Sequence, residues 1–382
     1  MARQPTTPSG SSPGVSLWLG GSVLAIVLLS VGIAVGYGPV MALAPGPGES
    51  GESWAAVQGI DRTSSGSAGV SVTIRYHTGG PGIEPPRQGT QLHTVDGVNP
   101  AQVGPNGDWA YLPKSSLPPL LATADGGGAL AVRTVGPWAL IGNLSTATVV
   151  VEDTPVTVVA PAAMDVDPER KARFLSAFVS PYELHPIRGV PATIIIAPDA
   201  LPHDGATYGT QSYVTQHAFW DGGATSVWIH EYVHTQQTFE TTAEMAWFRE
   251  ASATYLSGLL LAEQYHGVTE ADLRTWIAAR DDYPGTTLAE ESTWAHTNAD
   301  YYRGARLLYS VDAAIRDGSA GRYTLVDVFS ALNQRGEPIT VGRFVRTVES
   351  YSGQPEPWLR PTITESDGIL EPVPKNSLEI GK

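Results

Sequence analysis

No cysteine occurs in the 382 residues. That absence excludes a disulfide scaffold and any thiolate zinc, iron–sulfur or cysteine-nucleophile chemistry. Basic residues are scarce as well: 23 Lys+Arg stand against 38 Asp+Glu, a formal charge of −15, and no Lys/Arg cluster interrupts the acidity. A chain of that balance repels phosphate backbones, so nucleic acid is not an expected partner. Only four of the basic residues are lysines, Lys114, Lys171, Lys375 and Lys382. What is present is 42% hydrophobic and 16% charged, a globular composition. At ~100–200 residues per domain, the length predicts two domains.

Long apolar runs are confined to one place. Residues 15–37 (VSLWLGGSVLAIVLLSVGIAVGY) carry no charge and match the ~20 apolar residues a membrane-spanning helix needs. The run exceeds the ~7–15 residues of a signal-peptide core, which favours an uncleaved anchor; the alternative is secretion after cleavage at Ala42-Leu43-Ala44. Arg3 is the one basic residue before the span, so the tail 1–14 is expected inside and the remainder outside, giving a single-pass cell-membrane protein. Residues 38–68, rich in Gly, Pro and Ser, read as a stalk. Over 69–163, β-branched runs such as VSVTIRY and PVTVVAP between Gly/Pro turns predict a small all-β domain. Helical periodicity dominates 164–360, with PATIIIAP (191–198) as a buried strand and 211–220 as an edge strand. Residues 361–382 read as an acidic tail.

The chemistry concentrates in WIHEYVHTQQ (228–237), which contains His230-Glu231-x-x-His234. On a helix, residues four apart share a face, so both imidazoles can hold one Zn2+ while Glu231, one step round, reaches the open coordination position as a base. The surrounding Trp228, Ile229, Tyr232 and Val233 make two histidines and a glutamate costly there unless something satisfies them. A catalytic zinc takes three protein ligands. Glu240, Glu244 and Glu250 all follow closely, the first two in a polar connection. Glu250 lies in the apolar helix AWFREASATYLSGLL, where a lone carboxylate is expensive without a metal or a cation such as neighbouring Arg249.

The segment Trp247-Phe248-Arg249-Glu250-Ala251-Ser252-Ala253-Thr254-Tyr255 resembles the W-x-x-E-G-x-A/T-x-Y stretch of gluzincin metallopeptidases, in particular the glycyl aminopeptidase family and, more distantly, aminopeptidase N. Tyr301-Tyr302-Arg303-Gly304-Ala305 resembles the Y-x-[KR]-G-A helix of those families. Over about 165–355 the resemblance implies a thermolysin-like zincin fold with Glu250 as third ligand and Tyr301 as hydrogen-bond donor to the oxyanion. Two features depart from the family. Fifteen residues separate His234 from Glu250, fewer than is usual, and the region matched to the amine-holding G-x-M-E-N segment, YGTQSYVTQHAFWDGGATS, lacks glutamate. Cleavage within chains, aided by β-augmentation at 211–220, therefore stands beside aminopeptidase action.

The expectation is an α+β chain: one transmembrane helix, a small all-β domain, then a mainly helical zincin domain after a small sheet. It holds one zinc through His230, His234 and Glu250, with Glu231 as general base and Tyr301 as oxyanion donor, acting on a peptide or protein substrate. The alternative is a catalytically inactive zincin-fold surface receptor or scaffold.

Overall fold

A computed structural model of the chain describes residues 54–64, 69–79, 90–123, 130–151, 154–179, 191–218, 223–264, 267–280, 283–334 and 336–366. The span expected at 15–37, the tail 1–14, most of the stalk and the last sixteen residues lie outside the described residues. Among the described residues no helix is long and apolar enough to cross a membrane.

The first region is built from strands β1 (Trp54–Ser64), β2 (Val70–Gly79) and β3 (Gln91–Val98), paired antiparallel in that order. Strand β4 (Trp109–Pro113), a short helix α1 (Pro119–Thr123), β5 (Ala131–Val135) and β6 (Trp138–Gly142) follow, the three strands forming a sheet in the order β4-β6-β5. In β2, Val70, Val72, Ile74 and Tyr76 point inward while the residues between them face outward, the period-two pattern of a half-buried strand. These residues share a core with Val57, Leu112 and Ile141, so the two sheets are one unit. The stalk is accordingly shorter than its composition implied. Residues 54–64 form β1, with Ala55, Val57 and Ile60 buried under a Ser- and Gly-containing sequence.

The second region begins earlier than residue 164. Strands β7 (Leu144–Val151) and β8 (Thr154–Pro161), read above as part of the β domain, join β9 (Ala192–Ala197), β10 (Gly205–Tyr208) and β11 (Gln211–Thr215) in a five-stranded sheet ordered β10-β11-β9-β8-β7. Strand β8 runs parallel to β9, and the connection between them carries helix α2 (Pro168–Val179), as a parallel pair requires. Alternation identifies a strand but not its partner, which is why composition misplaced this boundary. The two faces of the sheet have different neighbours. Val156, Val158, Ile194 and Ile196 pack on helices, whereas Val159, Ile195 and Tyr213 pack on Trp109, Tyr111 and Leu140 of the β4–β6 sheet.

The helical layer comprises α3 (Val227–Gln236), α4 (Trp247–Gln264), α5 (Glu270–Ala278), α6 (Ala299–Gly318), α7 (Leu325–Asn333), α8 (Val341–Ser352) and α9 (Leu359–Thr364). Capping boxes start α5 at Thr269/Asp272 and α7 at Thr324/Asp327. The tail assigned to 361–382 begins later: Leu359 and Ile363 of α9 are fully buried, and Ile363 accepts a backbone hydrogen bond from Ala289. The predicted edge strand is also displaced. Strand β11 lies inside the sheet, parallel to β9 and antiparallel to β10, because Tyr213 and Val214 are both apolar and buried rather than alternating with exposed residues. The edge is β10.

Candidate metal centre

Helix α3 directs its chemistry by packing. Trp228, Ile229, Tyr232 and Val233 are buried in the core, which leaves His230 and His234 on a face turned toward α4. Three contacts fix α3 against α4: His234 Nε2 to Glu250 Oε2 at 3.1 Å, Thr254 Oγ1 to His230 Nδ1 at 3.5 Å, and the Ser226 amide to Ser257 Oγ at 3.0 Å. Position rises along one helix as it falls along the other, so the two helices are antiparallel. The turn this demands between His234 and Glu250 is held from outside. Asn333 accepts from the Thr238 amide and donates to the Gln236 carbonyl, and Ile339 exchanges backbone bonds with Glu240 and Thr242.

The result is a triangle of donor atoms. His230 Nε2 and His234 Nε2 lie 2.9 Å apart, and Glu250 Oε2 is 3.3 Å from the first and 3.1 Å from the second. Two ligand atoms on a tetrahedral zinc at ~2.1 Å are separated by about 3.4 Å, so these edges are close to those of a zinc site. Two imidazole nitrogens facing each other at this distance repel unless a proton or a cation lies between them. His234 Nδ1 faces Gln237 Oε1 at 2.9 Å; as the donor to that oxygen it leaves Nε2 with a lone pair for a metal. Gln237 in turn donates to the Arg249 carbonyl and to Ser252.

Burial works to lower the His234 imidazole, but the Glu250 carboxylate overrides it and holds the ring up at about 9. Burial likewise favours a protonated Glu250, and the two histidines reverse this and hold it well below the usual carboxylate range. A carboxylate that stays ionised inside the protein, against two nitrogen donors, fits a divalent cation. Arg249 does not neutralise it by pairing: the guanidinium donates to the Phe239 carbonyl and to Gln237. Glu240 and Glu244, the other glutamates weighed, are exposed on the connecting loop.

Glu231 lines the same cleft as His230. It is 4% exposed, and burial raises its carboxyl above the ordinary value against the opposing pull of His234 and His230. Thr207 of β10 donates to its Oε2 at 2.7 Å, and Gly205 lies so close that a Cβ there would fall 2.6 Å from Oε1. The edge strand thus pins the glutamate. Tyr301, in the first turn of α6, stacks on His230 with ring centres 5.8 Å apart and hydrogen-bonds Glu250. Burial and Glu250 push its phenol far upward, so it remains a donor. Gly304, one turn on, permits the close approach of α6 to α4: a Cβ there would lie 2.6 Å from that of Ala251. That cleft opens onto this group, and Asp204, Gly205, His230, Glu231, Trp276, Tyr301 and Tyr302 are among the residues that line it.

No protein-family model matches the chain, and no curated protein sequence does either. Solved structures do. A mutant of the M1 zinc metallopeptidase of Deinococcus radiodurans aligns with a TM-score of 0.50 at 14% identity, covering 85% of this chain and 97% of that one. The fold is that of an M1 zinc metallopeptidase. An aminopeptidase N family protein from Idiomarina loihiensis (TM-score 0.43, 15% identity) covers 68% of this chain, which spans 57% of its length. Native leukotriene A4 hydrolase of Saccharomyces cerevisiae (TM-score 0.42, 12% identity) matches over 78% of this chain and 65% of its own.

Within this M1 fold, the structure brings together all five residues singled out in the sequence: His230, Glu231, His234, Glu250 and Tyr301. Sequence reading did not find β10 with Gly205 and Thr207, or Gln237 beside His234. The Gly-x-Thr run and the His-x-x-Gln spacing were visible, but their partners are 24 and 12–15 residues distant, and periodicity does not report such contacts.

Proposed function

We propose that the chain is a zinc-dependent peptidase using one Zn2+ held by His230, His234 and Glu250. The observation that carries this reading is the buried triangle of donor atoms with Glu231 on the cleft side of it. When bound there, zinc supplies Lewis acidity toward a scissile carbonyl and a water. Glu231 takes the proton of the attacking water and delivers it to the leaving amine, a role that a raised carboxyl pKa suits. Thr207 and Gly205 hold its carboxylate in one orientation. Tyr301 keeps its proton and, once Glu250 faces a cation, can turn its O–H to the oxyanion of the tetrahedral intermediate. An extended peptide can add to the outer edge of β10, which has no partner strand among the described residues and passes beside Glu231. In this reading residues 15–37 anchor the enzyme with its catalytic part outside the cell.

The test is a peptide library, in free and N-acetylated forms, incubated with the zinc-loaded chain. Internal cuts in both forms define an endopeptidase, and cuts confined to free termini an aminopeptidase. A chain that holds zinc yet cleaves nothing is instead a receptor or scaffold.

A further inference from the structure

The connection between His234 and Glu250, where the chain departs in length from the gluzincin pattern, begins at a buried carboxamide. Gln237 is the residue that caps the C-terminus of α3. Its Nε2 lies 2.8 Å from the Arg249 carbonyl and 3.0 Å from Ser252 Oγ. Ser252 Oγ itself donates to that same carbonyl at 3.2 Å, so its oxygen is left to accept. A carbonyl only accepts, so the NH2 end of the amide must face α4 and its oxygen must face the other way. There Oε1 meets His234 Nδ1 at 2.9 Å and accepts from Arg249 Nη1 at 3.4 Å. An amide oxygen also only accepts, so a neutral His234, the form that binds metal, carries its proton on Nδ1 and its lone pair on Nε2, inside the triangle of donor atoms. Arg249 Nη2 donates to the Phe239 carbonyl at 3.2 Å, which holds the guanidinium in place. His230 has looser support: its Nδ1 faces Thr254 Oγ1 at 3.5 Å, beyond the usual hydrogen-bond range.

We propose that Gln237, oriented by Arg249 and Ser252, is a positioning residue that fixes His234 in the tautomer and ring orientation a metal ligand needs, and that it refers this orientation to the backbone of α4. The second part follows from where the order of donors starts. Arg249 immediately precedes Glu250, so the same turn of α4 supplies both the third ligand and the carbonyl that orients the amide. Two ligands carried on separate helices are thereby set together across the short connection. Outer partners of this kind change metal affinity by ~10–100-fold. The inference rests on the zinc site of the peptidase reading and on no step of hydrolysis.

The test measures the zinc affinity of the whole chain by competition with a chromophoric chelator. Gln237→Met keeps the length of the side chain but removes its acceptor and its donors, and should weaken zinc binding by about 10- to 100-fold. Gln237→Glu separates orientation from packing. A carboxylate accepts at either end, so it needs no orienting and still takes the His234 proton, whereas the donations to Arg249 and Ser252 are gone. Zinc should therefore bind Gln237→Glu within about threefold of the parent or more tightly, a recovery that a role in packing alone would not give. In the zinc-loaded parent, isotopically labelled at histidine nitrogen, magnetic resonance should show His234 bound through Nε2 with an Nδ1 proton that exchanges slowly. In Gln237→Met that proton should exchange freely with solvent. Zinc affinity of Gln237→Met within about threefold of the parent, an equal loss in both variants, or metal bound through Nδ1 in the parent overturns the inference. The last of these needs no variant to fold. A chain that binds zinc in this way and cleaves nothing keeps the inference and rejects the peptidase reading, whereas a parent that binds no zinc rejects both.

Discussion

The β region up to Gly142 and the sheet-and-helix region from Leu144 onward are both well packed, yet they bury different things. Among described residues, the first buries only Thr78 and Gln102 of its polar side chains, and no charged one. The second buries Glu231, Glu250, Asp300, Asp312, Arg343 and Glu356. Three of these have ordinary structural partners. Asp312 accepts from Tyr255, Arg316 and the Leu325 amide; Arg343 donates to the carbonyls of Leu332 and Glu337; Glu356 accepts from Trp358. Glu231, Glu250 and Asp300 gather instead around the cleft and Tyr301. A buried charge is expensive, so a cluster of them without matching arginines or lysines singles this cleft out as the candidate functional site.

The contrast can be broken most severely at Glu250. Glu250→Ala should weaken zinc binding by more than the ~10–100-fold that loss of an outer partner causes, and should abolish hydrolysis, as read by metal analysis and peptide assay. Next comes Tyr301→Phe, which removes only a hydroxyl: kcat should fall by about 100- to 1,000-fold with zinc content and KM little changed. The β region supplies the opposite control. Ile74→Ala, at a fully buried position, should cost about 2–5 kcal/mol in denaturant unfolding and leave zinc at one per chain. A loss of metal in that variant would show that the regions are not chemically separate.

The smallest effect concerns Asp300. Burial, then the nearby Glu250, raises its carboxyl from 3.8 to about 7, and its Oδ1 has no hydrogen-bond partner. A carboxyl raised in the folded state costs stability once it ionises. The cost is absent below the unfolded pKa, grows as pH rises from 3.8, and is complete above about 7. Asp300→Asn should therefore raise the melting temperature by a few degrees at pH 8 and by nothing at pH 4.

The two regions also differ in how legible they were. The helical character of the second region was readable because helical periodicity is local; the caps at Thr269/Asp272 and Thr324/Asp327 that start two of its helices became visible with the structure. The two histidines were readable because a four-residue spacing on a helix fixes geometry by itself, whereas Glu250, on another helix, was reached through its apolar setting and the resemblance of its segment to a known family. Sheet membership was not, since β7 and β8 look the same whether they pair with β6 or β9, and only the crossover through α2 decides. The edge position of β10 was hidden for the same reason. Glu231's brace from Thr207 depends on that strand order, so it became visible only with the fold.

The most direct test pairs zinc content with peptide hydrolysis in the parent chain and in Glu231→Gln. The account predicts one zinc per chain in both, with hydrolysis by the variant reduced about 100- to 10,000-fold. A variant that cleaves peptides as fast as the parent would contradict it.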